Sequence, residues 1–305
     1  MSWIPGNDPC AGEDPCPEAV ERVIVPRTAD IGGFEVRRVL PFRERRMVGP
    51  FIFWDEMGPG EFLTGDGIDV LPHPHIGLAT VTFLERGSLE HRDSLGSATT
   101  IEPGDVNLMT AGAGIVHSER TGAEVRARPS SLAGIQCWLA LPRDVENSSP
   151  TFERVAKERL PTIDDGGLHA RVILGEVFGA RSPVTTHSPT VYADVRMDAG
   201  ASWEVPKEIE ERAFYILEGE LSVDGLDVPA HRLLVLKPGF AATVRARSAC
   251  RWMLLGGDAM DGPRHIWWNF VASSKDAIEA AKERWRAGEF PMVPGDDGER
   301  TPLPA

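Results

Sequence analysis

From about residue 51 to 145 the chain is a succession of short β-type runs, each broken by glycine, proline or aspartate. Ala79–Leu84, Ala98–Ile101, Val106–Met109 and Gly134–Leu139 each hold a β-type pattern for only a few residues and then stop. Strands of that length and spacing form a sandwich or barrel, an all-β architecture. The turns have ample material, since 31 of the 305 residues are glycine and 25 are proline. Two short runs, Val23–Val25 and Gly33–Val39, precede this region. The polar stretch Pro142 to Pro150 reads as a linker. After it the β-type runs resume at Ala170–Leu174, Val191–Met197, Ala213–Leu217, Leu233–Leu236 and Trp252–Leu255.

The second series repeats the first. The text from Phe83 to Leu89 resembles that from Ile216 to Leu221, and the text from Asp105 to Gly112 resembles that from Arg232 to Gly239. The offsets are 133 for Leu84 to Leu217 and 127 for Gly112 to Gly239. Similar offsets in the same order indicate a duplicated β domain. One helix is expected near the end, capped by Ser273 or Ser274 and stopped by Gly288. Ala277, Ile278, Ala281 and Trp285 share its apolar face, which makes it a packing helix. The tail from Pro294 to Ala305 reads as a mobile end.

Charge narrows the partners. Lys and Arg number 32 against 46 Asp and Glu, a net charge of −14 that opposes direct binding of nucleic acid. No apolar run approaches the length of a membrane span, and the first residues lack the basic and apolar parts of a signal peptide. Cys10, Cys16, Cys137 and Cys250 form no C-x-x-C pair and read as free thiols of a reducing, cytoplasmic compartment, with pairing or metal binding by Cys10 and Cys16 as the alternative.

Chemistry concentrates in two short texts. In Pro72-His-Pro-His-Ile-Gly77, His73 and His75 stand at i and i+2, which on a strand puts both on one face. Pro74 lacks an N–H and so suits an edge strand. His117 and Glu119 repeat the spacing after Gly112-Ala-Gly114, whose glycines permit a tight turn. Two such pairs on two strands of a small barrel bring four ligands to one point. Three imidazoles and a carboxylate suit Fe(II), Mn, Ni, Cu or Zn, and the lack of thiolate argues against a closed structural zinc site. His91 reads as a supporting or strand-surface residue rather than a ligand. His169, His187, His231 and His265 stand alone.

These texts resemble the pirin family of the cupin superfamily. The resemblance is carried by Arg38 to Pro59, His73 to Leu84 and Pro103 to Glu119, and more loosely by the second half, including Trp268-Asn-Phe270 and the helix after it. It implies a bicupin, two jelly-roll-like β-barrel domains with a C-terminal helix. On this view residues 1–22 are a lead-in, 23–145 a metal-binding cupin domain, 151–270 a degenerate cupin domain and 271–305 the helix and tail. The resemblance assigns the metal to His73, His75, His117 and Glu119. Projected by the two offsets, these positions fall on Pro206, Glu208, Val244 and Ala246, so the second barrel is expected to be metal-free.

The resemblance also implies an activity. It points to a quercetin 2,3-dioxygenase-like enzyme with one mononuclear Fe(2+)-type centre, a flavonol or related hydroxylated aromatic as substrate, and O2. Glu119 is the candidate base for the substrate hydroxyl. The alternative is a metal-dependent redox-sensing or regulatory module that meets a protein partner.

Overall fold

The computed structural model describes residues 16–31 and 34–304, which fall into two compact units interleaved along the chain. One comprises residues 28–36, 52–157 and 260–305; the other comprises the residues up to 27, 37–51 and 158–259. Each is built mainly of antiparallel strands. No helix is long and apolar enough to cross a membrane.

In the first unit a four-stranded sheet runs in the order Asp69–His75, Ile115–Arg120, Leu89–Asp93, Ala98–Ile101. Beside it, strands Thr151–Val155, Val106–Thr110, Leu78–Arg86, Ser130–Ala140 and Phe51–Phe62 are neighbours in that order in a second sheet. Met57, Leu84 and Leu132 of the second sheet share a buried cluster with Leu89 and Ile101 of the first. Apolar side chains at alternate strand positions close the two sheets on one another. The expected runs fall inside these strands, and Asp69–His75 is an edge strand, where Pro74 costs no ladder bond.

Pro142 to Pro150 is not a boundary between domains. Strand Thr151–Val155 returns to pair with Val106–Thr110, so the stretch is a loop within the first unit. Its polarity reflects hydrogen bonding: Glu146 accepts from the backbone N–H and hydroxyl of Ser273. Ser274 takes the cap, its hydroxyl oxygen accepting from the Ala277 N–H, and Gly288 ends the Lys275–Ala287 helix at φ 73°. Ile278, Ala281 and Trp285 of the helix bury against Ile76, Val116 and Phe270.

The tail packs against the first unit. The Trp285 indole N–H donates to the Thr301 carbonyl at 3.0 Å, and the Thr301 N–H donates to the Pro72 carbonyl at 2.9 Å. Arg120 holds Asp296 through two hydrogen bonds. A Pro- and Gly-rich segment forms no element of its own, yet here it covers the free edge of the Asp69–His75 strand.

The second unit repeats the plan. Its four-stranded sheet has the order Ser202–Val205, Ala242–Ala246, Glu220–Val223, Leu226–Pro229. Its larger sheet begins with Val20–Ile24, three residues earlier than the expected run at Val23, paired with Arg232–Leu236. Most of the lead-in, residues 1–15 with Cys10, lies outside the described residues. Cys16 is disulfide-bonded, against the reading of four free thiols; Cys137 and Cys250 are free and buried.

Candidate metal centre

The four-stranded sheet of the first unit brings the chemistry together through its register. His117 pairs with His73 on one side and with Asp93 on the other, while Glu119 pairs with His91. Directly opposed residues of antiparallel strands project to the same face. His73, His75, His91, Asp93, His117 and Glu119 therefore crowd one side of the sheet, and none is more than 8% exposed.

His73, His75 and His117 offer nitrogens that lie within 4.8 Å of one another. The Nε2 atoms of His75 and His117 approach to 3.1 Å. The other ring nitrogens of His73 and His75 are committed: His73 Nδ1 is 2.9 Å from the Leu71 carbonyl and His75 Nδ1 is 3.1 Å from that of Asn269. A carbonyl only accepts, so each Nδ1 carries the proton and each Nε2 keeps its lone pair. Burial pushes His73 down to about 4 and His75 and His117 well below the usual imidazole range, so all three rings are neutral at pH 7.

Glu119 stands two residues along the His117 strand and groups with His117 and His91. Burial pushes its carboxyl up, while His91, Gln136 and Thr82 pull the other way. The Gln136 side-chain amide lies 3.1 Å from both carboxylate oxygens. Trp138, two residues beyond Gln136 on the Ser130–Ala140 strand, meets the His75 ring edge-on at 5.2 Å and stacks on Phe53 at 4.0 Å.

Glycines flank both pairs: Gly77 follows His75 and Gly112 precedes His117. Gly77 has φ 66°, and a Cβ there would stand 2.0 Å from the Val271 carbonyl oxygen. Its N–H donates to the Gly112 carbonyl at 2.9 Å, which ties the two ligand-bearing turns together. The close approach of residues 269–271 is what delivers the Asn269 carbonyl to His75.

His73, His75 and His117 stand together, while Glu119 groups with His117 and His91 rather than with all three imidazoles. Buried neutral imidazoles beside a carboxylate fit a borderline transition-metal ion, and the donor set suggests a divalent metal. Sequence reasoning missed Gln136, Asp93 and the Asn269 carbonyl. A lone polar residue within the apolar text Ile135-Gln-Cys-Trp138 was the available signal for Gln136; the backbone carbonyl left none.

The second unit shows what became of the duplicate site. Trp203 pairs with Val244 where His73 pairs with His117, and Val205 pairs with Ala242 where His75 pairs with Ile115. The counterparts of His73 and His75 are therefore Trp203 and Val205, not Pro206 and Glu208. Five residues join Val205 to the next strand, whereas two join His75 to Leu78, and the extra three displaced the projection. Val244 and Ala246 stand as projected, buried in an apolar cluster with Val205 and Leu221. Among the described residues, candidate metal-binding groups occur only in the first unit.

Comparison with known proteins agrees with this geometry. Residues 33–139 match the family model described as Pirin, and residues 192–291 match that of the Pirin C-terminal cupin domain. A pirin-like protein of Caulobacter vibrioides is 46% identical over 288 residues, covering 93% of this chain and 99% of that protein.

The chain belongs to the pirin family.

Its two units are cupin domains, as the resemblance of the sequence implied. A rat protein named pirin is 32% identical over 257 residues, 82% of this chain and 85% of that one. A crystal structure of quercetin 2,3-dioxygenase from Acinetobacter baumannii matches with a TM-score of 0.87 and 35% identity, covering 94% of this chain and 96% of that one.

Proposed function

We propose that this pirin-family protein is a metal-dependent dioxygenase that opens a flavonol or a related hydroxylated aromatic. The observation that carries the reading is the buried group of His73, His75 and His117, with Glu119 grouped beside it through His117. Similarity along most of the chain to the Acinetobacter protein named quercetin 2,3-dioxygenase supports the substrate class.

His73, His75, His117 and Glu119 would hold the ion, most suitably Fe(2+), with Mn, Ni, Cu and Zn also compatible with the donors. A bound ion of this kind supplies Lewis acidity and a template for a substrate hydroxylate and O2. The protein supplies the rest. Glu119, made more basic by burial, takes the proton of the substrate hydroxyl. Gln136 holds that carboxylate through its amide. Trp138 and Phe53 fix the His75 ring from behind and keep water from that side.

Anaerobic loading with Fe(II), followed by oxygen uptake against a panel of flavonols and catechols, tests the reading. The expected result is consumption of O2 in step with loss of one substrate class. Full metal occupancy with no uptake on any member of the panel would overturn the enzymatic reading.

A further inference from the structure

Asn107, on the Val106–Thr110 strand, is 3% exposed, and neither its side-chain nitrogen nor its oxygen has a hydrogen-bond partner among the described residues. An amide carries two N–H donors and an acceptor, and leaving such a group unsatisfied in the interior is costly. Buried polar groups of this kind call for an explanation.

Register shows which way the side chain faces. Arg154 stands opposite Asn107, Asn107 opposite Thr82, and Thr82 opposite Gln136. Directly opposed residues share a face, so the four form one polar row across the larger sheet. Two residues along each strand, Phe152, Met109, Thr80 and Trp138 make the next row on the same face. Phe152 stacks on the His91 ring at 4.5 Å and Trp138 meets the His75 ring at 5.2 Å, so this face is turned to the imidazoles. The polar row ends at the carboxylate. The Gln136 amide nitrogen lies 3.1 Å from both oxygens of Glu119 and 3.4 Å from the Thr82 hydroxyl. Gln136 is thus spent on Glu119, and Thr82 hydrogen-bonds the same carboxylate. Asn107 stands one strand beyond Thr82, about 4.8 Å at the usual strand spacing, with its amide uncommitted.

The other end of the row meets a cleft of about 510 Å³, lined by the edge strands Ala98–Ile101 and Thr151–Val155 and by His91. Two of its lining residues are register partners of the site: His91 of Glu119 and Arg154 of Asn107. A ring whose hydroxyl meets Glu119 can therefore extend along the row towards Asn107. The oxygens of a meta-diol are separated by about one strand spacing, whereas those of an ortho-diol are much closer together. In a flavonol, the fused-ring hydroxyl beside the carbonyl reaches about as far from the hydroxyl on the carbonyl's other side.

We propose that Asn107 is a specificity-determining residue: its side-chain amide takes a second oxygen of the hydroxylated aromatic, one strand spacing from the hydroxyl that Glu119 deprotonates. The inference rests on the function proposed above and narrows its substrate class to aromatics that carry two oxygens at that separation.

Binding without turnover tests it. Ligand-observed NMR on the anaerobic Zn(II)-loaded protein gives dissociation constants for phenol, catechol and resorcinol. Wild type should bind resorcinol about 2–10-fold more tightly than phenol, the usual contribution of one hydrogen bond. In Asn107→Leu, which keeps the shape and removes the polar atoms, that ratio should fall to about one, while the ratio of catechol to phenol should not move. The melting temperature of the variant should hold or rise, because an unpartnered polar group has been removed from the interior. A preference for resorcinol that survives Asn107→Leu, or no preference in wild type, would overturn the proposal. So would a lower melting temperature with all three affinities reduced alike, which would make Asn107 a structural residue. The broader reading fails differently, by a Zn(II)-loaded wild type that binds none of the three phenols, and it takes this inference with it.

Discussion

His75 and His117 sit on neighbouring antiparallel strands with their Nε2 atoms 3.1 Å apart, and the far nitrogen of His75 is held by a backbone carbonyl 194 residues away, that of Asn269. A neutral His117 satisfies this approach by donating Nε2–H to His75, and a bound cation satisfies it by taking both lone pairs; burial disfavours only the charged imidazolium.

Metal content follows directly. The purified protein should carry about one transition-metal ion per chain by elemental analysis, as one cluster of ligands per chain predicts. His73→Ala and His117→Ala should each lose it while the circular-dichroism spectrum stays that of a β protein. Two ions per chain would contradict the apolar filling of the second unit by Val205, Val244 and Ala246.

Glu119→Gln keeps the shape and one oxygen donor but removes the basic carboxylate. Turnover of a hydroxylated aromatic should fall about 10²–10⁴-fold, the usual contribution of a general base, with a much smaller loss of metal. Steady-state rates at matched metal occupancy decide it. Equal rates would remove Glu119 from proton transfer and leave its place at the metal untouched.

Removal of the metal should make stability depend on pH in a defined window. The folded-state value of His73 is about 4 against 6.5 for the exposed ring. Between these values the unfolded chain binds a proton that the folded chain refuses, so stability rises with pH across the window. The shift corresponds to about 3 kcal/mol for this residue. His75 and His117 act in the same direction, and the raised carboxyl of Glu119 acts against them. Urea unfolding of chelator-treated protein at pH 7 and pH 5 should show the loss at pH 5. His73→Phe should flatten that difference.

Gly77→Ala probes the joint between the two ligand turns. The left-handed conformation alone costs a non-glycine residue about 1–3 kcal/mol, and the methyl group would collide with the Val271 carbonyl oxygen. A lower melting temperature together with weaker metal binding is expected, because displacing residues 269–271 also withdraws the Asn269 carbonyl from His75. A variant as stable as wild type would show that the turn and its neighbour relax without cost.

Much of this was legible beforehand, and the misses share a cause. The strand runs from Ala79 to Leu139, the Ser274-capped helix and the two H-x-[HE] pairs all depend on neighbours within a few residues, where alternation and capping leave a pattern in the text. The linker at Pro142 to Pro150 was misread, and the contacts of the tail were not foreseen, because polarity marks solvent only when no distant partner satisfies it. Glu146 found Ser273, and Thr301 found Pro72. The projection onto Pro206 and Glu208 failed because a turn of unequal length changes the offset partway through a repeat, which only strand register reveals.

The H-x-H and H-x-E spacings by themselves determined that each pair shares a strand face, since the period of a strand is two and no other part of the chain can alter it. They did not determine that the two faces meet. That came from the pairing of His117 with His73, and it drew in residues no local pattern could nominate: His91 and Asp93 through register, Gln136 from another sheet, and Asn269 from the far end of the chain. Ligand identity is a property of side chains, whereas tautomer, charge and orientation belong to whatever the fold places behind them.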